Sequence, residues 1–246
     1  MDEKYAKGIY ILPNLFTTAG LFAGFYAIVQ AMNGHFESAP IAVFIAMVMD
    51  GLDGRVARWT HTESEFGAQY DSLADMVSFG LAPALIVYEW ALADMGKLGW
   101  LAAFIYAAAA ALRLARFNVQ TTVDRRVSFQ GLPSPAAAGL LAGLVWVLYS
   151  YGVPGKEISI AALLFTVFAG VAMVSNIRYR SFKHLNVKGR VPFISVLVVV
   201  LLFVLISLDP PQVLFMVFLV YAISGPVGAL IRKSRHTGEK RVARLP

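Results

Sequence analysis

Four aspartates, Asp50, Asp53, Asp71 and Asp75, sit inside a chain that otherwise reads as membrane. A carboxylate at the edge of a bilayer is expensive and needs compensation. Asp50 and Asp53 are three residues apart and fall about 60° from each other on a helix; Asp71 and Asp75, four apart, fall about 40° from each other. The first pair closes one apolar stretch and the second opens the next. Antiparallel packing of those stretches would gather four carboxylates just inside the interface. Arg55 and Arg58 do not balance that charge, which argues against a cluster that merely pins two helices together. Two divalent cations would balance it, and hard oxygen donors select Mg2+ or Mn2+. Two ions bridged by carboxylates clamp a phosphate and its leaving oxygen together, so the spacing predicts metal-dependent chemistry on a phosphate. Gly54, one turn after Asp50, leaves room for a ligand against the helix. Arg58, one turn further, is placed to pair with a phosphate oxygen. Gly67, one turn before Asp71, offers the same close approach from the facing helix.

These residues need a scaffold, and composition says which kind. Of 246 residues, 58% are hydrophobic and 15% charged, with mean hydropathy +0.66; a soluble domain carries about a quarter charged residues. The reading is an all-α, polytopic transmembrane bundle of about eight helices, spanning 9–32, 39–58, 68–92, 98–118, 133–151, 157–176, 191–208 and 212–232. Turn chemistry separates them at Asn33-Gly34, Gly96-Lys97, Gly152-Val153-Pro154-Gly155 and Asp209-Pro210-Pro211. Numbering the connections alternately puts all but Lys97 and Lys156 of the 21 lysines and arginines on one side. The positive-inside rule makes that side cytoplasmic, with both termini and the aspartate loop. The chain is thus expected in the cell membrane, as one domain over 1–246. The first span exceeds a signal-peptide core and lacks a small-residue cleavage site, so it is expected to be retained. Cysteine is absent, which excludes disulfides and thiolate chemistry, and the histidines at 35, 61, 184 and 236 lack zinc-ligand spacing. The net charge of +6 reflects the topology and a basic tail at 232–244 suited to anionic lipid, so nucleic acid is not an expected partner.

Asn14 and Thr17 share a face where the first span opens and can read the amide-like edge of a base, or simply cap the helix. Gly20 and Gly24 form a small-xxx-small step expected to serve helix packing. Glu89, far along the third span, is expected at the opposite interface and outside any chemistry.

The pattern Asp-x2-Asp-Gly-x2-Ala-Arg-x8-Gly-x3-Asp-x3-Asp, met without deviation from Asp50 to Asp75, resembles the signature of the CDP-alcohol phosphatidyltransferases. The resemblance implies a six-helix catalytic core, here 1–190, leaving 191–246 as two further helices and the tail. It implies attack of an alcohol on the β-phosphorus of a CDP-linked lipid with release of CMP. It makes all four aspartates metal ligands and Asp75 also the general base. It gives Gly54 and Arg58 to the pyrophosphate, with Asn14, Thr17, Ser64 and Gly67 also on the CDP-lipid. Two further stretches, Arg113-Leu114-Ala115-Arg116-Phe117-Asn118 and Phe129-Gln130-Gly131-Leu132-Pro133-Ser134-Pro135, are similar to the serine-using branch of that family. They imply L-serine as acceptor, CDP-diacylglycerol as donor, and Arg113, Arg116, Asn118 and Gln130 on the acceptor or phosphate. A homodimer is expected. The competing readings are another acceptor, glycerol 3-phosphate or an inositol phosphate, and a cation transporter, whose acidic site would be expected nearer the bilayer midplane.

Overall fold

The computed structural model describes residues 11–60, 62, 64–119, 129–179 and 193–242. Eight helical rods account for nearly all of them. They are α1 (Ile11–Met32), α2 (Ser38–Thr60), α3 (Glu65–Met95), α4 (Lys97–Val119), α5 (Ser134–Ser150), α6 (Ser159–Val174), α7 (Phe193–Leu208) and α8 (Pro210–Val242). The expected spans agree with these within a few residues, except that α8 continues beyond 232. Lys4, Lys7, Arg125, Arg126, Arg180, Lys183, Lys188 and Arg190 lie outside the described residues, as do His61, His184 and the side chains from Arg232 onward. Turns fall where expected: Gly34, Gly96 and Gly152 take positive φ, and the Asp209 carboxylate accepts from the Gln212 amide at the start of α8. Five rods are long and apolar enough to cross a membrane (Pro13–Met32, Glu65–Met95, Lys97–Val119, Gly155–Val174 and Pro210–Ile231), and α5 is a shorter apolar helix. This is a multi-pass membrane bundle. Its one departure from all-helix among the described residues is a two-residue antiparallel ribbon, β1 (Phe129–Gln130) with β2 (Arg178–Tyr179), pairing Gln130 with Arg178.

Lipid supplies no hydrophobic drive between helices, so close packing of small residues does the work. Ala23, Ala27 and Ala31 repeat every four residues on α1 and are buried, as are Ala39, Ala42, Val43 and Ala46 on α2. These two helices form the most extensive pairing in the molecule. The Gly20–Gly24 step also packs as expected, Gly20 against Met49 and Ala46 of α2 and Gly24 against Ser78 of α3. A Cβ at Gly24 would lie 2.7 Å from Ser78 Cα, and Ser78 Oγ donates to the Gly20 carbonyl at 3.1 Å. Helix α5 is the axle of the bundle, buried at every position from Ala136 to Val145. Helix α8 lies against it, with Phe218 also meeting Phe44 of α2 at a ring distance of 6.0 Å.

Helix α3 changes pitch. It is α-helical over Glu65–Asp75, widens to π over Met76–Leu81, returns to α over Ala82–Val87, and widens again over Tyr88–Leu92. Pro83 has no N–H and so cannot serve the carbonyl of Phe79 one turn earlier. The fully buried Tyr106 of α4 donates its hydroxyl to that carbonyl at 3.0 Å. The first widened turn begins directly after Asp75, and such turns are frequent at functional sites.

Candidate active site

The aspartates meet where the C-terminal half of α2 faces the first turns of α3. One carboxylate oxygen from each of Asp50, Asp53 and Asp71 lies within 4.8 Å of the others. Asp75, one turn deeper, is outside that trio but lines the same small cavity, together with Thr17, Gly20, Ala46, Ala74, Ser78 and Phe79. Its carboxylate is within electrostatic range of Asp50, Asp71, Asp53 and Arg113. The local cause is helical spacing, which puts each pair on one face. The tertiary cause is α1, which packs across both helices and closes the cavity. Thr17 of α1 donates to Asp53 Oδ2 at 2.9 Å and fixes that buried carboxylate. Three converging oxygen donors suit one hard divalent cation, which would relieve the repulsion among them.

The other CDP-lipid candidates gather at the same end. The Arg58 guanidinium folds back over Gly54, with Nη1 3.6 Å from where a Cβ would stand. At Gly67 that position is 3.1 Å from Ser64 Oγ and 3.6 Å from Asn14 Oδ1, so Asn14, Ser64 and Gly67 form one corner between α1 and α3. Ser64 also has a structural duty, since it N-caps α3 by accepting from the Gly67 amide at 3.0 Å.

Beside α3 the basic candidates divide. Arg113 donates through Nη1 to the buried Ser134 Oγ at 3.0 Å, and its Nε is buried with no hydrogen-bond partner among the described residues. Arg116 donates through Nη2 to Gln130 Oε1 and to Asn176 Oδ1, the latter at 3.0 Å. Asn118 faces back to α3, donating to Ser72 Oγ at 3.0 Å and reaching Gln69 Oε1 at 3.5 Å. The ribbon that carries Gln130 is held from both sides. The Gly131 and Leu132 amides donate to the carbonyls of Ile177 and Ala172, and the Tyr179 hydroxyl donates to the Ala222 carbonyl of α8 at 3.0 Å. Glu89 is exposed at the far end of α3, as expected.

Sequence reasoning missed several participants. Ser78 is three residues past Asp75 and shares its face, a signal helical spacing offered. Ser134 stood inside a noted stretch without a role. Tyr70, whose hydroxyl meets Thr18 Oγ1 at 2.9 Å, and Asn176 gave no signal, because their partners are 52 and 60 residues away.

Comparison with known proteins places this geometry. The CDP-alcohol phosphatidyltransferase family profile matches residues 10–173, from the start of α1 almost to the end of α6. A CDP-diacylglycerol–serine O-phosphatidyltransferase of Helicobacter pylori is 39% identical over 215 residues, covering 87% of this chain and 90% of that one. The protein of the same description from Methanocaldococcus jannaschii is 36% identical over 183 residues, 74% of this chain and 80% of its own. An archaetidylserine synthase of Methanothermobacter thermautotrophicus is 32% identical over 181 residues, 73% of each chain. The chain belongs to the CDP-alcohol phosphatidyltransferase family, a family of phosphotransferases acting on substituted phosphate groups.

Proposed function

We propose that the protein transfers the phosphatidyl group of CDP-diacylglycerol to L-serine, giving phosphatidylserine and CMP. The observation that carries the reading is the convergence of Asp50, Asp53 and Asp71 within 4.8 Å at a cavity that Asp75 also lines. The choice of serine is supported by the relatives, which are described as serine phosphatidyltransferases and an archaetidylserine synthase. Family membership removes the cation-transporter alternative.

Asp50, Asp53, Asp71 and Asp75 would hold two divalent ions, Mg2+ or Mn2+. When bound, these ions neutralise the diphosphate and the departing CMP. Asn14, Thr17, Ser64 and Gly67 receive the nucleotide side of the donor, and Gly54 and Arg58 its pyrophosphate. Asp75 takes the proton of the serine hydroxyl. The serine oxygen forms a bond to the β-phosphorus as the bond from that phosphorus to the CMP oxygen breaks, so a single displacement suffices. Arg113, Arg116, Asn118 and Gln130 line the acceptor side, where guanidinium groups suit the serine carboxylate and the lipid phosphate. Residues 1–190 form the catalytic core, 191–246 add two helices and a tail, and the enzyme works as a homodimer. Both termini and the site face the cytoplasm of a cell membrane.

Detergent-solubilised protein supplied with CDP-diacylglycerol and Mg2+ or Mn2+ should release CMP only when serine is added, with phosphatidylserine on a thin-layer plate. Release with glycerol 3-phosphate or an inositol phosphate instead would move the acceptor. No release with any of the three would overturn the activity.

A further inference from the structure

Helix α3 carries Asp75 at the join between its regular first stretch and the widened turn Met76–Leu81. Three residues of that turn, Ser78, Phe79 and Gly80, are buried. Ser78 and Phe79 line the acidic cavity beside Asp75. The turn is held from two sides. Toward α1, the Ser78 hydroxyl donates to the Gly20 carbonyl at 3.1 Å, and glycine at position 24 leaves the space that Ser78 occupies. Toward α4, the Phe79 carbonyl that Pro83 cannot serve accepts from the Tyr106 hydroxyl at 3.0 Å.

Tyr106 is fully buried, and Gly170 of α6 backs it so closely that a Cβ there would stand 3.3 Å from Tyr106 Cα. Tyr106, Ala110 and Arg113 recur at helical spacing and share one face of α4. That face meets α3 level by level. Tyr106 serves Phe79, Ala110 lies 3.3 Å from where a Cβ of Gly80 would stand, and Arg113 is within electrostatic range of Asp75. A phenylalanine would fill the same apolar space as Tyr106, so its hydroxyl is the informative part. A widened turn spaces its hydrogen bonds five residues apart where a regular one spaces them four. Narrowing it would rotate the two halves of α3 against each other. The first turns of α3 are tied down, Tyr70 to Thr18 and Ser72 to Asn118. The change would therefore fall on the residues next to the join, of which Asp75 is the last before the turn.

We infer that Tyr106 is a positioning residue for the transfer: by holding the Phe79 carbonyl it keeps the turn wide, and so sets where the Asp75 carboxylate stands relative to the trio. The inference rests on the reading of Asp75 as the base that takes the acceptor's proton. A base must come within hydrogen-bond reach of the hydroxyl it serves. A turn that relaxes therefore costs rate and leaves donor binding at the trio intact.

The test is a double-mutant cycle on the full-length protein in detergent–lipid micelles, with CDP-diacylglycerol, serine and saturating Mg2+ or Mn2+. Tyr106→Phe removes only the hydroxyl. It should lower kcat at least about tenfold, with KM for CDP-diacylglycerol changed less than about twofold, since a small misplacement at the reacting centre is felt in rate. On the Asp75→Asn background the same change should lower kcat by less than about twofold, because residues that act as a unit are not additive. A tyrosine that only stabilised the fold would lower both backgrounds alike. Pro83→Ala reaches the turn from its other side. It supplies the missing N–H to the Phe79 carbonyl, lets the turn narrow, and should show the same loss confined to the chain that retains Asp75. Wild-type kcat in Tyr106→Phe, or a loss that persists in full on the Asp75→Asn background, would overturn the proposal. If Tyr106→Phe does not fold, the same two readings of Pro83→Ala decide it. Asp75→Asn alone is scored first: near-normal turnover there overturns the base reading and the proposal together, whereas a large loss there with an additive cycle overturns the proposal alone.

Discussion

The acidic corner of α2 and α3 and the clasp around Arg116 differ in how their polar groups are satisfied. In the corner, three carboxylate oxygens approach one another within 4.8 Å, an arrangement of like charge that costs energy until a cation joins it. In the clasp, Arg116 is met by the neutral amides of Gln130 and Asn176, from β1 and from the residues after α6. The corner is built to be completed by a ligand, whereas the clasp is largely complete within the chain. Arg113 stands between them, bonded to Ser134 on one side and within range of Asp75 on the other. A site that must bind and release a charged lipid needs both kinds of region: one that is poised, and one that holds its frame still.

If the corner waits for metal, chelation should produce the largest effect. EDTA should reduce CMP release to background, and excess Mg2+ or Mn2+ should restore it. Full activity in chelator would break the comparison at its root. Asp75→Asn comes next and separates base from ligand. Loss of a general base costs about 10²–10⁴ in rate, so turnover should fall at least about a hundredfold while CDP-diacylglycerol still binds with metal present. Asp53→Asn should instead weaken metal and nucleotide binding together. Near-normal turnover of Asp75→Asn at saturating metal and serine would remove it from the chemistry.

The clasp should respond less, and in a different quantity. Arg116→Ala should lose about 2–4 kcal/mol of transition-state stabilisation, read from kcat/KM for serine. Lysine should rescue only partly, lacking the planar fork. Unchanged kinetics would leave Arg116 a purely structural clasp. Gly131→Ala addresses the frame directly. Gly131 sits at φ 82°, and a Cβ there would overlap the Met173 carbonyl. The change should cost about 1–3 kcal/mol of stability, read as a lower unfolding temperature in detergent. Ser64→Ala, losing the N-cap of α3, should cost about 1 kcal/mol by the same measurement.

Much of this was legible beforehand because membranes simplify the code. Eight apolar stretches and their breaks follow from span length and turn residues, and the aspartate spacing puts each pair on one helical face. What stayed hidden depends on contacts distant in sequence. Ser64 read as a loop residue and turned out to cap α3. Arg116 read as a group facing the acceptor together with Gln130, and of its two amide partners only Asn176 comes from a stretch that offered no signal. The π turns of α3 escaped notice although Pro83 was visible, because whether a helix widens or kinks there depends on what serves the freed carbonyl. Here Tyr106 of α4 serves it.

The sequence by itself determined the membrane class, the helix count and the four-carboxylate motif, since hydropathy and helical periodicity act locally. Only the tertiary structure decided that Asp50, Asp53 and Asp71 form the tight trio while Asp75 stands one turn deeper. It also decided that Thr17 holds Asp53, and that an apolar hollow opens between α1 and α2. Those outcomes depend on how closely α1, α2 and α3 cross, which small residues such as Gly24 permit but which no single segment specifies.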